Sequence, residues 1–382
     1  MNPSTGMPRV QVRSSSAHEA IRMLRERMGD EPLGLVILFC STSYPRDELA
    51  REASRLFSGV PLIGCTSTGE LGPDGHRSGT LSGVGLPLGL FVAATRKIDL
   101  SSLSAAHAHS MVTDARSELV ERAPWASSFN TFAFLLVDGR SNQEERAARY
   151  LQAALGGIPL IGGSASTDAT SPHAWCLDER GFHAGTAVFA LVASKRSFKP
   201  FMTNHFIATA HRVVVTEANA DRRIVREFDG RPAVDVYAEL LGVRPDELDT
   251  GHFATAPFAV MFGGVNYIRS VKCVLPDGGL QFYCAIEKGA VLRLARDGDL
   301  LEDLKRTFFN LREELGSLDL VLGCDCVLRK TAIEQQGLTP DIESLMTGNN
   351  VSGFNSHGEQ FRGIHVNQTF TGIAFGKALI DE

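Results

Sequence analysis

Leu35–Cys40 is an unbroken apolar run that stops at Ser41-Thr42-Ser43. Such a run, closed by a polar turn, predicts a strand buried on both faces. Over Asp47–Phe57 apolar positions recur at helical spacing, and the acidic pair Asp47-Glu48 suits a helix N-terminus. Val60–Ile63 is apolar again and predicts a second short strand. Strand, helix and strand make a right-handed crossover between parallel strands. Ser82–Ala94 alternates glycine with apolar residues and predicts one or two antiparallel strands. The same order then returns: strand Phe132–Val137, helix Gln143–Leu155, strand Pro159–Ile161 and a later strand Thr186–Ala193.

The return is a repeat in the letters as well. Pro61-Leu62-Ile63-Gly64 recurs as Pro159-Leu160-Ile161-Gly162, each followed by a loop of small polar residues. A period this long marks a duplicated structural unit, not a short solenoid repeat. A fainter third echo is Val351–Glu359, which follows the pattern of Ile63–Glu70 and comes after another buried strand, Leu318–Gly323. Between them, 201–223 is rich in strand signals, Arg226–Gly230 reads as strand and turn, and Arg231–Gly242 as a helix. Pro276-Asp277-Gly278-Gly279 separates two apolar segments and predicts a hairpin that sets Cys273 opposite Cys284. The expected fold class is α/β: a two-domain protein with duplicated βαβ-type units and mixed β-sheets. Residues 1–29 are expected to be a short disordered leader and the start of an amphipathic helix around His18–Met28. Residues 30–222 form the first domain and 223–376 the second.

Composition narrows the classes of function. The 382 residues are 43% hydrophobic and 21% charged, with a net charge of -6. That balance argues against nucleic acid, which needs a basic footprint. No apolar run is long enough to span a membrane and the first thirty residues lack a signal-peptide core, so the cytoplasm is the expected location. Seven cysteines without framework spacing fit reduced thiols.

Candidate chemistry is sparse. The loop Gly64–Glu70 could cradle an anion, but it lacks a phosphate-binding pattern, and a tight turn explains its glycines equally well. Cys324-Asp325-Cys326, followed by Arg329, is a close thiol pair at a strand end without zinc spacing. His173, His183, His205, His211, His357 and His365 fall in strand and loop segments, and imidazole is a common ligand for iron and zinc. No Cys-x-x-Cys-His, His-Glu-x-x-His, serine-hydrolase or kinase signature is present.

Several segments together resemble the FIST sensory domains of bacteria. The N-terminal part is matched by 62–70, Val137-Asp138-Gly139, Glu144-Glu145 and 158–164. The C-terminal part is matched by 223–242, Tyr267-Ile268-Arg269-Ser270, 284–289 and 353–369. Within that family, Cys324–Arg329 and 353–370 resemble the NosP subfamily of nitric-oxide-sensing haemoproteins, except that His357 stands where an aromatic is expected. The resemblance implies a sensor and not an enzyme: haem b, nitric oxide as ligand, and a histidine kinase in a separate chain as partner, with a homodimer left open. His205 is the first choice for the iron ligand. His183, His365, His357, Arg329, Cys324 and Cys326 are the other cofactor-site candidates. The alternative is a FIST-type module that binds a small metabolite such as an amino acid, without haem. A third reading makes Cys324 or Cys326 a nucleophile, which needs a depressed thiol pKa and a base.

Overall fold

The computed structural model describes residues 6–168 and 171–380. Its chain runs three rounds of one plan. The first round is β1 (Arg9–Val12), α1 (Ala17–Met28), β2 (Leu33–Ser41), α2 (Arg46–Leu56), β3 (Leu62–Ser67), the hairpin β4 (Glu70–Gly72) and β5 (Gly75–Arg77), and β6 (Leu81–Pro87). The second is β7 (Phe91–Asp99), α3 (Ala105–Arg122), β8 (Thr131–Asp138), α4 (Glu144–Leu155), β9 (Leu160–Ala165), the hairpin β10 (Cys176–Asp178) and β11 (Gly181–His183), and β12 (Thr186–Ser194). The third opens with β13 (Arg196–Met202) and is interrupted by an insert: β14 (Ile207–Asn219), β15 (Ile224–Phe228), β16 (Arg231–Pro232), α5 (Ala233–Leu241), α6 (Thr250–Thr255), β17 (Phe258–Phe262), β18 (Val265–Arg269), β19 (Val271–Val274), β20 (Leu280–Phe282) and β21 (Val291–Arg296). It resumes with α7 (Leu300–Leu315), β22 (Leu318–Cys326), α8 (Val327–Gln335), α9 (Thr339–Gly348), β23 (Val351–Ser356), the hairpin β24 (Glu359–Phe361) and β25 (Ile364–Val366), and β26 (Phe370–Leu379). The faint third echo is therefore a full round.

Each round builds one mixed sheet of the same order. The sheets run β1-β6-β2-β3-β10-β11, β7-β12-β8-β9-β24-β25 and β13-β26-β22-β23-β4-β5. In each, the central strand pairs in parallel with the strand after its helix, and every other pairing is antiparallel. The hairpin is never kept at home. The first round's hairpin joins the third sheet, the second's joins the first, and the third's joins the second. This cyclic exchange ties the three rounds together through backbone hydrogen bonds.

The apolar runs divide between two faces. Leu35, Ile37 and Phe39 turn inward with Phe132, Phe134 and Leu136, and with Leu320, Leu322 and Cys324, into one core shared by all three sheets. Their alternates face outward under helices: Val36 and Leu38 under α1 and α2, Ala133 and Leu135 under α3 and α4, and Val321 under α7 to α9. Burial on both faces is why these strands read as continuous apolar runs. The insert keeps a core of its own, with Val213, Val225, Phe228, Tyr237, Phe258 and Leu292. Among the described residues, no helix is long and apolar enough to cross a membrane.

Three local expectations differ from what is found. Part of the expected disordered leader is strand: β1 pairs with β6, burying Val10 and Val12 against α1, while residues 1–5 lie outside the described residues. The alternating segment 82–94 is two antiparallel strands, as expected, β6 with β2 and β7 with β12, in different sheets because the chain changes round at 88–90. Cys273 stands opposite Gln281 and not Cys284, because the turn closes with Leu275 N–H on the Gly279 carbonyl and pairs Val274 with Leu280, which leaves Cys284 beyond the hairpin's end. His205 was expected on a strand. It lies in the crossing between β13 and β14, where the chain leaves the third sheet for the insert.

Candidate functional site

Hairpin exchange creates three equivalent crevices. The second strand of each hairpin packs on a helix of the round it joins: β11 on α2, β25 on α4 and β5 on α9. The hairpin registers Leu177↔Phe182, Gln360↔His365 and Leu71↔His76 coincide, so Phe182, His365 and His76 are counterparts.

The three crevices have been filled differently. At the first, Phe182 packs into the apolar cluster under α1 and α2. A hollow of about 220 Å³ lies instead at the C-terminal end of α2, lined by residues such as Ala53, Phe57, Val60 and Glu179. At the second, His76 bonds Asn355 through Nε2, and only about 30 Å³ remains beside Asp325, Lys330 and Met346. At the third, around His365, a cavity of about 390 Å³ stands open. It is larger because the insert, through Arg269, Ala285 and Glu287, supplies a far wall that the other two crevices lack.

A polar clasp frames this cavity. Arg223 from the insert donates through Nη2 to Glu144 Oε2 at 2.5 Å and to Glu145 Oε2 at 2.7 Å. The other oxygen of Glu145 accepts the Ala285 N–H at 2.7 Å. Arg269 Nη1 donates to the His365 carbonyl at 3.2 Å. Both glutamates sit in the first turn of α4, where the helix dipole favours them. Burial pushes the Glu144 carboxyl up, although Arg223 opposes it. Burial lowers His365 to about 4, with Glu145 pulling the other way, so the ring is neutral at pH 7. Gln360 Nε2 lies 3.2 Å from His365 Nδ1. His365 Nε2 has no hydrogen-bond partner among the described residues, and Gly358 leaves room for that edge of the ring, since a Cβ there would stand 2.8 Å from Nε2.

Charges of both signs line the cavity. On the α4 wall, Arg149 lies over the Tyr150 ring, and Arg146 binds the Leu100 carbonyl while its Nε has no hydrogen-bond partner among the described residues. On the insert wall, the Asp221 and Glu287 carboxylates make no hydrogen bond or ion pair among the described residues. Glu145 on the α4 side and Arg269 on the insert side also line the cavity, so both sides carry both signs.

The other candidates named from the sequence fall elsewhere. His183 Nε2 lies 2.8 Å from Asp178 Oδ1 at the hairpin edge of the first sheet. His205 has a fully buried side chain with Nε2 3.2 Å from Asp297 Oδ1. His357 sits in the β23–β24 turn against Gly139, and burial lowers it to about 4. Cys324 packs in the shared core, where it closes on Gly163 and Phe354. Burial pushes the Cys324 and Cys326 thiols well above their ordinary range, the reverse of what a nucleophile needs. Arg329 is fully buried, with Nε 2.8 Å from Asp325 Oδ1 and both Nη atoms without a partner. Of the candidates, His365 alone lines the open cavity. Sequence reasoning missed Arg146, Arg149, Asp221 and Glu287. Their signal was faint: two arginines three apart on the helix that Glu144-Glu145 begins, and two acids in insert loops.

Neither large cavity fits a haem. A porphyrin needs apolar walls around its faces. The cavity at His365 is lined by Arg146, Arg149, Arg269, Asp221 and Glu287. The cavity beside His205, about 500 Å³, is lined by Arg293, Asp299, Glu302, Asp303 and Arg306. Among the described residues, no group of three or more His, Cys, Asp or Glu side chains is placed to hold a metal ion.

Comparison with known families agrees with this architecture. The FIST N domain model matches residues 34–231 and the FIST C domain model matches 233–362, so the chain belongs to the FIST family. The two matches meet inside the insert. FIST regions are sensory domains of signal transduction and not catalytic domains, which makes small-ligand sensing the function at its coarsest. No curated protein matches the chain closely enough to extend that assignment.

Proposed function

We propose that this chain senses a small dipolar molecule, of the amino-acid class, in the cavity beside His365. The observation that carries the reading is an open cavity lined by charges of both signs: Arg146, Arg149 and Arg269 with Glu145, Asp221 and Glu287. A dipolar ligand offers a carboxylate to the arginines and an ammonium to the acids of such a lining. A cavity of about 390 Å³ lies within the usual range for small-molecule sites. Arg149→Ala is expected to weaken binding by about tenfold or more, because it removes a charge-assisted contact worth about 1.5–3 kcal/mol. Titration calorimetry with zwitterionic amino acids checks this, and an unchanged affinity would count against the site.

A second reading is nitric oxide on haem b, reported to a histidine kinase in a separate chain. It is favoured by the unpartnered His365 Nε2 and opposed by the charged cavity walls. Haem reconstitution separates the two. A stoichiometric Soret band that shifts with nitric oxide, and is lost in His365→Ala, would support haem; the dipolar-ligand reading expects no saturable haem binding.

A further inference from the structure

We propose that the insert is a lever. It pivots on its two chain crossings, and its clasp on α4 is the contact that ligand occupancy controls. The trigger rests on the ligand-binding reading above; the pivot does not.

Three observations carry the lever. First, among the described residues no buried apolar cluster joins the insert's core to the core of the three rounds. A polar joint between two bodies with separate cores is the usual condition for relative motion. Second, the insert leaves and rejoins the third round through two short crossings, 203–206 and 297–299, which lie side by side. A Cβ on Gly298 would stand 2.1 Å from the His205 carbonyl oxygen, so only glycine allows the crossings this close. Both are anchored to the third round: Thr203 N–H donates to the Phe370 carbonyl, and Gln336 Nε2 donates to Asp297. Third, beside the cavity the insert is held by a set of polar contacts: Arg223 to Glu144 and Glu145, Ala285 to Glu145, Arg269 to the His365 carbonyl, and Gln368 to Ser270. A paired crossing that cannot slide, opposed to a clasp of ionic and hydrogen bonds, is a hinge with a latch. A ligand spanning Arg149 and Glu287 adds contacts only when the latch is shut, so binding shifts the equilibrium toward the closed form.

The test is hydrogen exchange on the full chain. In Arg223→Gln, amides around 269 and 285 and in the first turn of α4 are expected to exchange about tenfold faster, while the insert core at 225–228 and 292–294 is unchanged. Glu145→Gln frees the same latch from the other side and guards against one variant failing to fold. The lever is overturned if the latch amides are unmoved in both variants, or if the insert core loosens together with the latch in both. L-alanine, L-glutamate and L-arginine serve as probe ligands on the wild-type chain. A probe that raises the melting temperature must slow exchange at the latch. Binding without that slowing overturns the lever and leaves the site. A latch freed in the variants, with no probe binding, upholds the lever and overturns the ligand reading.

Discussion

Gly353→Ala is expected to destabilise the fold by about 4 kcal/mol or more, enough to leave little soluble protein. Gly353 lies in β23 opposite Gly323, and a Cβ on it would stand 1.7 Å from the Gly323 carbonyl oxygen. The clash is with backbone in the middle of a sheet, so no rotamer change relieves it, and the cost exceeds the roughly 1–3 kcal/mol of ordinary overpacking. The same register is glycine in all three rounds. Gly64 faces Leu38 and Gly162 faces Leu135, where a Cβ would meet the opposing carbonyl oxygen at 2.4 and 1.9 Å. The glycine of the Pro-Leu-Ile-Gly repeat is thus required by the parallel pairing and not by a ligand. Gly348, at the end of α9, meets nothing within 4 Å. Gly348→Ala is the control and is expected to be neutral or to gain about 0.5–1 kcal/mol. Urea unfolding compares the two; equal stability for both would refute the packing argument.

Glu359→Gln is expected to stabilise the protein at alkaline pH. Glu359 is fully buried, accepts from Ser356 Oγ at 2.6 Å and Thr369 Oγ1 at 2.7 Å, and is raised to about 8, chiefly by burial. Glu70, its counterpart in the first round, accepts from Ser67 Oγ and from Thr80 Oγ1 and is raised to about 7 for the same reason. Between 4.5 and about 8 the folded chain keeps a proton on Glu359 that the unfolded chain releases, so stability falls as pH rises through that window. The gap corresponds to on the order of 5 kcal/mol at its full extent. Glutamine stays neutral and can hold both hydroxyl partners. The advantage of the variant over wild type is therefore expected to grow from near zero at about pH 4.5 to several kcal/mol at about pH 8.5. A difference that does not change with pH would show that Glu359 is already ionised in the folded chain.

These two sites also show what the sequence could and could not convey. The doubly buried strands, the crossover helices and the Ile63–Glu70 echo at Val351–Glu359 were legible, because each is a local pattern set by burial and turn chemistry. The serine and glutamate of that echo hold the same hydrogen bonds in both rounds. Hairpin exchange was not legible. Leu177 pairs with Gly64 and Gln360 with Gly162 across long stretches of chain, and period-two alternation does not name a partner. The cavity was hidden for the same reason, since Arg149, His365 and Glu287 come from three separate segments that only the exchange and the insert bring together. Histidines stand out as ligands by their chemistry, yet the charges that line the cavity belong to arginines and acids in helical and loop sequence that looks like ordinary solvated surface.

The most direct test of the account is the melting temperature of the full chain across a panel of amino acids and other small zwitterions, repeated in Arg149→Glu. A ligand bound only by the folded state raises the midpoint with concentration. A saturable rise for at least one zwitterion, lost in Arg149→Glu, is the expected result. No rise with any of them, or a rise that survives in the variant, would contradict it.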